Sequence, residues 1–405
     1  MRWGPSLCFR YSTWNVRPRY TLSPKPFSRC LSTTIPTQAF ADHKPHYTTT
    51  PIFYVNASPH IGHLHSAVLA DVFSRWAQWR HSGYSDITGV LSEGLGETKA
   101  VLATGTDEHG IKIQKVAEAN NESPRELCDR VSQRFESLAE HAGVQYTRFI
   151  RTTDGDHVEA VNEFWKQLEK GGFIYKGTHE GWYSVSDEAF YTAAQIRPNE
   201  VDSSKMESIE TGSAVEWSSE ENYKFKLSAF QQPLLDWLDA NPDAVVPASR
   251  RDTLIAEITQ GLSDLSVSRP RSRLHWGIPV PSDEHHTIYV WLDALTNYLT
   301  VSGYPWKNEK MGCWPTDVQV IGKDIIRFHA IYFPAFLMAL NLPLPKHTVA
   351  HGHWTMNKHK MSKSRGNVAD PFKAIEKYGR DELRWFLCRV GGNLGSDAGE
   401  GRNKE

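Results

Sequence analysis

Residues 47–59 read Tyr-Thr-Thr-Thr-Pro-Ile-Phe-Tyr-Val-Asn-Ala-Ser-Pro, and residues 60–63 after them read His-Ile-Gly-His. Tyr47 to Val55 is rich in Thr, Tyr, Ile and Val, and Asn56-Ala57-Ser58-Pro59 closes it with turn residues, which predicts a strand. A helix is expected to begin near Gly62 and end near Gly83. Leu64, Val68, Val72, Phe73 and Trp76 recur at helical spacing between those points.

The same alternation continues downstream. Ala100–Ala103 reads as a short second strand, and Tyr84–Lys99, long against common connections of about 4–6 residues, as an inserted surface loop. Ser123-Pro124-Arg125-Glu126 is a capping box with proline at the first helical position, predicting a helix to about Ala142. Thr147–Arg151 is a third strand, and Asp156–Lys170 a helix closed by Gly171-Gly172. Strand–helix alternation of this kind implies a doubly wound, parallel α/β domain. Residues 171–275 break the rhythm with aromatic strand-like pieces (Gly181–Tyr191, Tyr223–Leu227) and then a helical stretch, as an inserted domain would. Alternation is expected to resume with strands at Ile288–Trp291 and Val318–Ile321, a helix at Ile325–Leu340 and a strand at Thr348–His351.

The chain has 405 residues, 40% of them hydrophobic, and formal net charge −2. That length suits two or three domains at about 100–200 residues each, and the balance excludes nucleic-acid binding by bulk positive charge. The average hides two unlike parts. Residues 1–41 carry Arg2, Arg10, Arg17, Arg19, Lys25 and Arg29, ten Ser and Thr, and no Asp or Glu. This is the composition of a mitochondrial transit peptide; a merely disordered basic tail is the alternative. Without it, 39 basic residues face 47 acidic ones. Five scattered cysteines without a Cys-x-x-Cys point to a reduced compartment and to no thiolate zinc site. No apolar run approaches a membrane span of roughly 18 residues; Ala330–Leu340 is short and contains Pro334, so it reads as a buried helix.

His60-Ile61-Gly62-His63 falls where the first strand meets its helix. Ligands of open α/β sheets sit at the carboxyl ends of strands, and a helix N-terminus attracts phosphate. Imidazoles at i and i+3 can donate to phosphate oxygens, and Gly62 lets a flat base approach. A surface histidine cluster, or a metal site of His60, His63 and His65, remains open on the residues alone. Lys360-Met361-Ser362-Lys363-Ser364 taken alone could be a basic surface loop, but it follows the last strand, hence the same sheet edge, where lysines would neutralise charge developing at phosphorus.

These two motifs resemble the paired signatures of class I aminoacyl-tRNA synthetases. Thr50-Pro51-Ile52-Phe53-Tyr54-Val55-Asn56, Gly105-Thr106-Asp107-Glu108-His109-Gly110, Trp276-Gly277-Ile278-Pro279-Val280-Pro281, Val290-Trp291-Leu292-Asp293-Ala294-Leu295 and Gly322-Lys323-Asp324 are similar to the methionyl branch, bacterial and mitochondrial type, in collinear order over roughly residues 45–395. The resemblance implies a Rossmann-like catalytic domain in two halves, 42–170 and 276–365, a connective insert at 171–275, and the start of a stem-contact region at 366–405.

It further implies that methionine is held by Pro51, Ile52, Tyr54, Trp291, Ala294, Leu295, Tyr298, Ile325 and His329, with Asp107 on its ammonium. ATP with Mg²⁺ would meet His60, Gly62 and His63 at the phosphates, Gly322 and Asp324 near the ribose, and Lys360 and Lys363 at the triphosphate. His60, His63, Lys360 and Lys363 would then be the catalytic set. Asp293 and Asp324 could instead be structural caps. The expected activity is ATP-dependent ligation of methionine to tRNA(Met) in the mitochondrial matrix, without a membrane partner. A non-catalytic tRNA- or protein-binding remnant is the alternative.

Two departures from the branch stand out. Many relatives carry a cysteine zinc knuckle in the insert, whereas Gly181-Trp182-Tyr183-Ser184-Val185-Ser186-Asp187-Glu188 has no cysteine, so no zinc is expected. The family continues into an anticodon-reading helical domain, which is expected to be missing beyond the Gly391-Gly392-Asn393-Leu394 tail. An insert of roughly 100 residues is also too short for the editing module of the isoleucyl, valyl and leucyl relatives.

Overall fold

The computed structural model describes residues 44–81, 100–184, 189–191, 193–199, 202–209, 211–307, 310–356, 359–360 and 369–397. The basic leader, the whole of the expected loop at 84–99 and the motif residues Met361–Ser364 lie outside the described residues.

Six parallel strands form the central sheet, in the order 148–151, 100–107, 46–54, 318–322, 347–351 and 245–246. Strand order therefore reverses between His46–Tyr54 and Val318–Gly322, which opens a crevice at their carboxyl ends. Helices cover both faces. On one, Leu64 and Val68 of helix Ile61–His81 pack with Leu138 of helix Pro124–His141 and with Leu383 and Leu387 of helix Arg380–Gly391. On the other, Phe164 and Trp165 of helix Gly155–Lys170 pack with Tyr298 of helix Val290–Val301 and Phe333 and Phe336 of helix Phe333–Ala339. Fully buried side chains of this size contribute about 1.5–3 kcal/mol each.

Several boundaries follow their local chemistry. The Ser123 side chain accepts from the Glu126 amide while the Glu126 carboxylate accepts from the Ser123 amide, so the capping box forms with Pro124 in the first turn. Asp370 accepts from the amides of Phe372 and Lys373 and starts helix Pro371–Tyr378. The second strand runs on to Asp107, beyond the expected Ala103, because Thr104 and Thr106 are buried and paired.

The insert contains an antiparallel sheet built around Ile174–Ser184 and Ala214–Phe225, and Val245–Val246 already returns to the parallel sheet. The strand expected at Ile288–Trp291 is corrected. Asp283–Ile288 pairs antiparallel with Ser268–Pro270 outside the central sheet, and a helix begins at Val290. The aromatic and β-branched run Ile-Tyr-Val-Trp favours a strand locally, but burying Leu292, Leu295 and Leu299 along one helix wins. The expected helix 325–340 is present in pieces, with a π turn at Phe328–Tyr332 before Pro334. Proline lacks an N–H and crowds the carbonyl four residues back, so a wider turn relieves it.

Candidate functional site

A cavity of about 430 Å³ sits at the strand-order reversal. Its floor begins with an irregularity in the first strand. Register runs Thr49 to Ala103 and then Ile52 to Gly105, so one extra residue bulges at Thr50–Pro51 and turns Pro51 and Ile52 to the cavity. The Thr50 hydroxyl lies 2.7 Å from the Thr104 hydroxyl and the same distance from the Pro51 carbonyl, fixing the bulge.

At the start of helix Ile61–His81 the two histidines serve their own backbone. His60 Nδ1 accepts from the Gly62 amide at 3.0 Å, and His63 Nδ1 accepts from the His60 amide at 3.2 Å. With Nδ1 accepting, the ring proton of each neutral imidazole resides on Nε2. The rings stack at 3.8 Å, and Phe53 and Phe135 hold His63 at 5.2 Å each. A Cβ on Gly62 would come within 2.9 Å of the His60 ring, so glycine is what admits this arrangement. His65 does not join the pair. Its ring lies against His351, Trp354 and Gly391, and burial lowers it to about 3. Among the described residues no group of three or more His, Cys, Asp or Glu side chains is placed to hold a metal ion.

The apolar side of the cavity comes from one helix face and the 3-10 and π turns opposite. Trp291, Ala294, Leu295 and Tyr298 line it from helix Val290–Val301, with Ile325 and His329 across from them. Trp291 stacks on Phe328 at 3.5 Å. His329 Nδ1 donates to the Ile325 carbonyl at 2.9 Å, which leaves Nε2 to accept from the Tyr298 hydroxyl at 2.7 Å. Both histidine nitrogens are thus engaged, and the Tyr298 oxygen offers lone pairs rather than a proton. Burial lowers His329 to about 4 and pushes the Tyr298 hydroxyl up. The unfolded chain binds the His329 proton more tightly than the folded one, so stability falls as pH drops from about 6.5 towards 4. We expect the urea midpoint to fall more steeply over that range in the parent protein than in His329→Gln; equal slopes would remove His329 as the cause.

Asp107, buried at the end of the second strand, supplies a carboxylate to the cavity. The next residue anchors it: Glu108 is fully buried and accepts from Arg151 Nε and Nη2 at 2.7 and 2.9 Å, together with the Thr106 and Thr153 hydroxyls. Asp293, one of the two possible caps, is fully buried between His109 and His157 at 2.7 Å each. Burial alone would raise its carboxyl, but the two imidazoles overcome that and hold it below the ordinary range. At the end of strand Val318–Gly322, Gly322 and Asp324 line the cavity. A Cβ at Gly322 would sit 2.6 Å from the Asp324 carboxylate, and His353 Nε2 lies 3.0 Å from that carboxylate.

Every expected site residue within the described part, Lys360 apart, therefore lines this cavity: Pro51, Ile52, Tyr54, His60, Gly62, His63, Asp107, Trp291, Ala294, Leu295, Tyr298, Gly322, Asp324, Ile325 and His329. Lys360 lies on a short strand, His359–Lys360, paired with Thr355–Met356, and Lys363 lies outside the described residues. Sequence reasoning missed Phe53, Ser66, Lys112, Val290, His351, Gly352, His353 and Trp354, which also line it. The signal for the last four was available: His351 ends strand His347–His351 and the other three follow it, at the carboxyl end of the sheet. Ser66 Oγ lies 2.7 Å from His351 Nε2, and burial lowers His351. Chemically, the cavity joins an apolar slot closed by a buried carboxylate to a helix N-terminus bearing two imidazoles.

The family model for class I tRNA synthetases (M) matches residues 46–398. The probable mitochondrial methionine–tRNA ligase of Neurospora crassa is 49% identical over 385 residues, covering 93% of this chain and 59% of the relative. The mitochondrial methionine–tRNA ligase of Homo sapiens is 48% identical over 347 residues, covering 85% and 56% respectively. Mycobacterium tuberculosis methionyl-tRNA synthetase bound by methionyl-adenylate has a similar structure, with a TM-score of 0.79 and 39% identity over 88% of this chain and 66% of that one. The chain spans about three fifths of the length of the curated relatives it matches.

Proposed function

Because the chain belongs to the class I tRNA synthetase (M) family, we propose that it is a methionine–tRNA ligase, activating methionine with ATP and passing it to tRNA(Met). The observation that carries this reading is the convergence on one cavity of the expected methionine and ATP residues within the described part, Lys360 apart, which come from strand ends, helix starts, helix Val290–Val301 and the turns opposite it.

Methionine's thioether is soft and apolar and suits the slot between Trp291, Ala294, Leu295 and Ile325. Its ammonium pairs with Asp107. The substrate is ATP with Mg²⁺. Its phosphates meet the Nε2 side of His60 and His63 at the helix N-terminus, its ribose meets Gly322 and Asp324, and Lys360 and Lys363 serve the triphosphate. A methionine carboxylate oxygen attacks the α-phosphorus, the bond to the β-phosphate oxygen breaks, and pyrophosphate leaves. A ribose hydroxyl at the tRNA 3′ end then attacks the carbonyl carbon of methionyl-adenylate and releases AMP. No side chain becomes a covalent nucleophile; alignment and charge stabilisation supply the rate.

The acid-free, arginine-bearing residues 1–41 and the mitochondrial names of the relatives support action in the mitochondrial matrix. Among the described residues no helix is long and apolar enough to cross a membrane. The test is exchange of labelled pyrophosphate into ATP by the purified chain. We expect exchange that depends on methionine; its absence would leave the binding-remnant reading instead.

A further inference from the structure

Helix Val290–Val301 gives the cavity Trp291, Ala294, Leu295 and Tyr298, yet Asp293 between them does not line the cavity and is fully buried. A buried carboxylate only accepts hydrogen bonds, so both imidazoles must donate to it: His109 Nδ1 to Oδ2 and His157 Nε2 to Oδ1, each at 2.7 Å. The partners come from different elements. His109 follows Asp107 by two residues at the end of the second strand, and His157 belongs to helix Gly155–Lys170. His157 Nδ1 reaches back to Thr300 Oγ1 at 3.0 Å, two turns further along the Asp293 helix. Apolar contact alone tolerates sliding and rotation of a helix, whereas directional bonds to a buried charge set a single register. For stability alone, well-packed apolar residues in place of a buried ion network are often neutral or better.

We propose that Asp293, His109 and His157 form a positioning unit that fixes the apolar slot relative to Asp107, and thereby sets methionine affinity without touching substrate. This rests on the methionine reading above. In pyrophosphate exchange by the full chain, His109→Ala and His157→Leu should each raise the methionine KM about tenfold, with the ATP KM within about twofold. His109→Asn and His157→Gln put an amide nitrogen where Nδ1 and Nε2 stood, and should recover most of the loss. A merely structural role would lower the active fraction, and so kcat, without this split. An unchanged methionine KM, equal rises for both substrates, or no recovery in the amide variants would overturn the proposal.

Amide hydrogen exchange over residues 290–301 gives a readout apart from activity. Protection should fall in His157→Leu and return in His157→Gln. If the parent chain showed no methionine-dependent exchange, the functional reading would fail on that ground, and protection unchanged in His157→Leu would separately overturn the positioning unit.

Discussion

Asp107→Asn should reduce kcat/KM for methionine by about 100-fold or more, nearly all of it through KM, and leave the ATP KM within about twofold. Asparagine keeps the shape and removes the charge. The expected size follows from the cost of leaving a buried charge unpaired, roughly 2–5 kcal/mol, with each 1.4 kcal/mol worth tenfold. Asp107 is 8% exposed and lies at the end of a strand that the Glu108–Arg151 pair anchors, so its pairing with an ammonium would be largely shielded from water. Its charge is also one of the influences that keep the Tyr298 hydroxyl neutral. The measurement is pyrophosphate exchange against methionine concentration at saturating ATP. A methionine KM within about threefold of the parent's would remove Asp107 from the ammonium site.

His63→Ala should act on the other half of the reaction. Loss of one preorganised donor facing developing charge costs about 10²–10³ in kcat, and here the methionine KM should stay near the parent value. The ring is held by His60, Phe53 and Phe135, and its Nδ1 is committed to the His60 amide, so its orientation is set before substrate arrives. His63→Gln places an amide donor near the Nε2 position and should recover part of the rate. Stopped-flow measurement of adenylate formation separates the two constants. A variant that lost methionine affinity and rate in equal measure would contradict a role confined to the phosphates.

Much of this cavity's lining is legible in the sequence, for a physical reason. Strand ends and helix starts are punctuated by residues with strong local preferences: Asn56-Ala57-Ser58-Pro59 after the first strand, Ser123-Pro124-Arg125-Glu126 before a helix that begins at Pro124. Where local preference and tertiary burial disagree, the sequence misleads. Tyr289-Val290-Trp291 has β-favouring side chains but opens a helix, because the helix buries its apolar face and ties Asp293 down. The histidines could be read as phosphate donors, but not that their Nδ1 atoms cap the helix, since that depends on rotamers. His329 is expected at the methionine pocket and does line the cavity, but no local pattern shows that the turn before Pro334 ties its nitrogens to Tyr298 and Ile325. The role of Asp293 needed two histidines far away in the chain, which no local pattern reveals.

The central position of the first strand bears on how the chain reaches its native state. Its second neighbour is Val318–Gly322, and the Tyr47 amide donates to the Asp317 carboxylate 270 residues further on. Until that partner emerges from the ribosome or an import pore, the strand His46–Tyr54 presents an unpaired edge, the form most open to mispairing with other chains. Pairings of such sequence separation are slow because loop closure precedes any gain from the contact. Holding factors during biogenesis should therefore matter most until residues 318–322 have emerged.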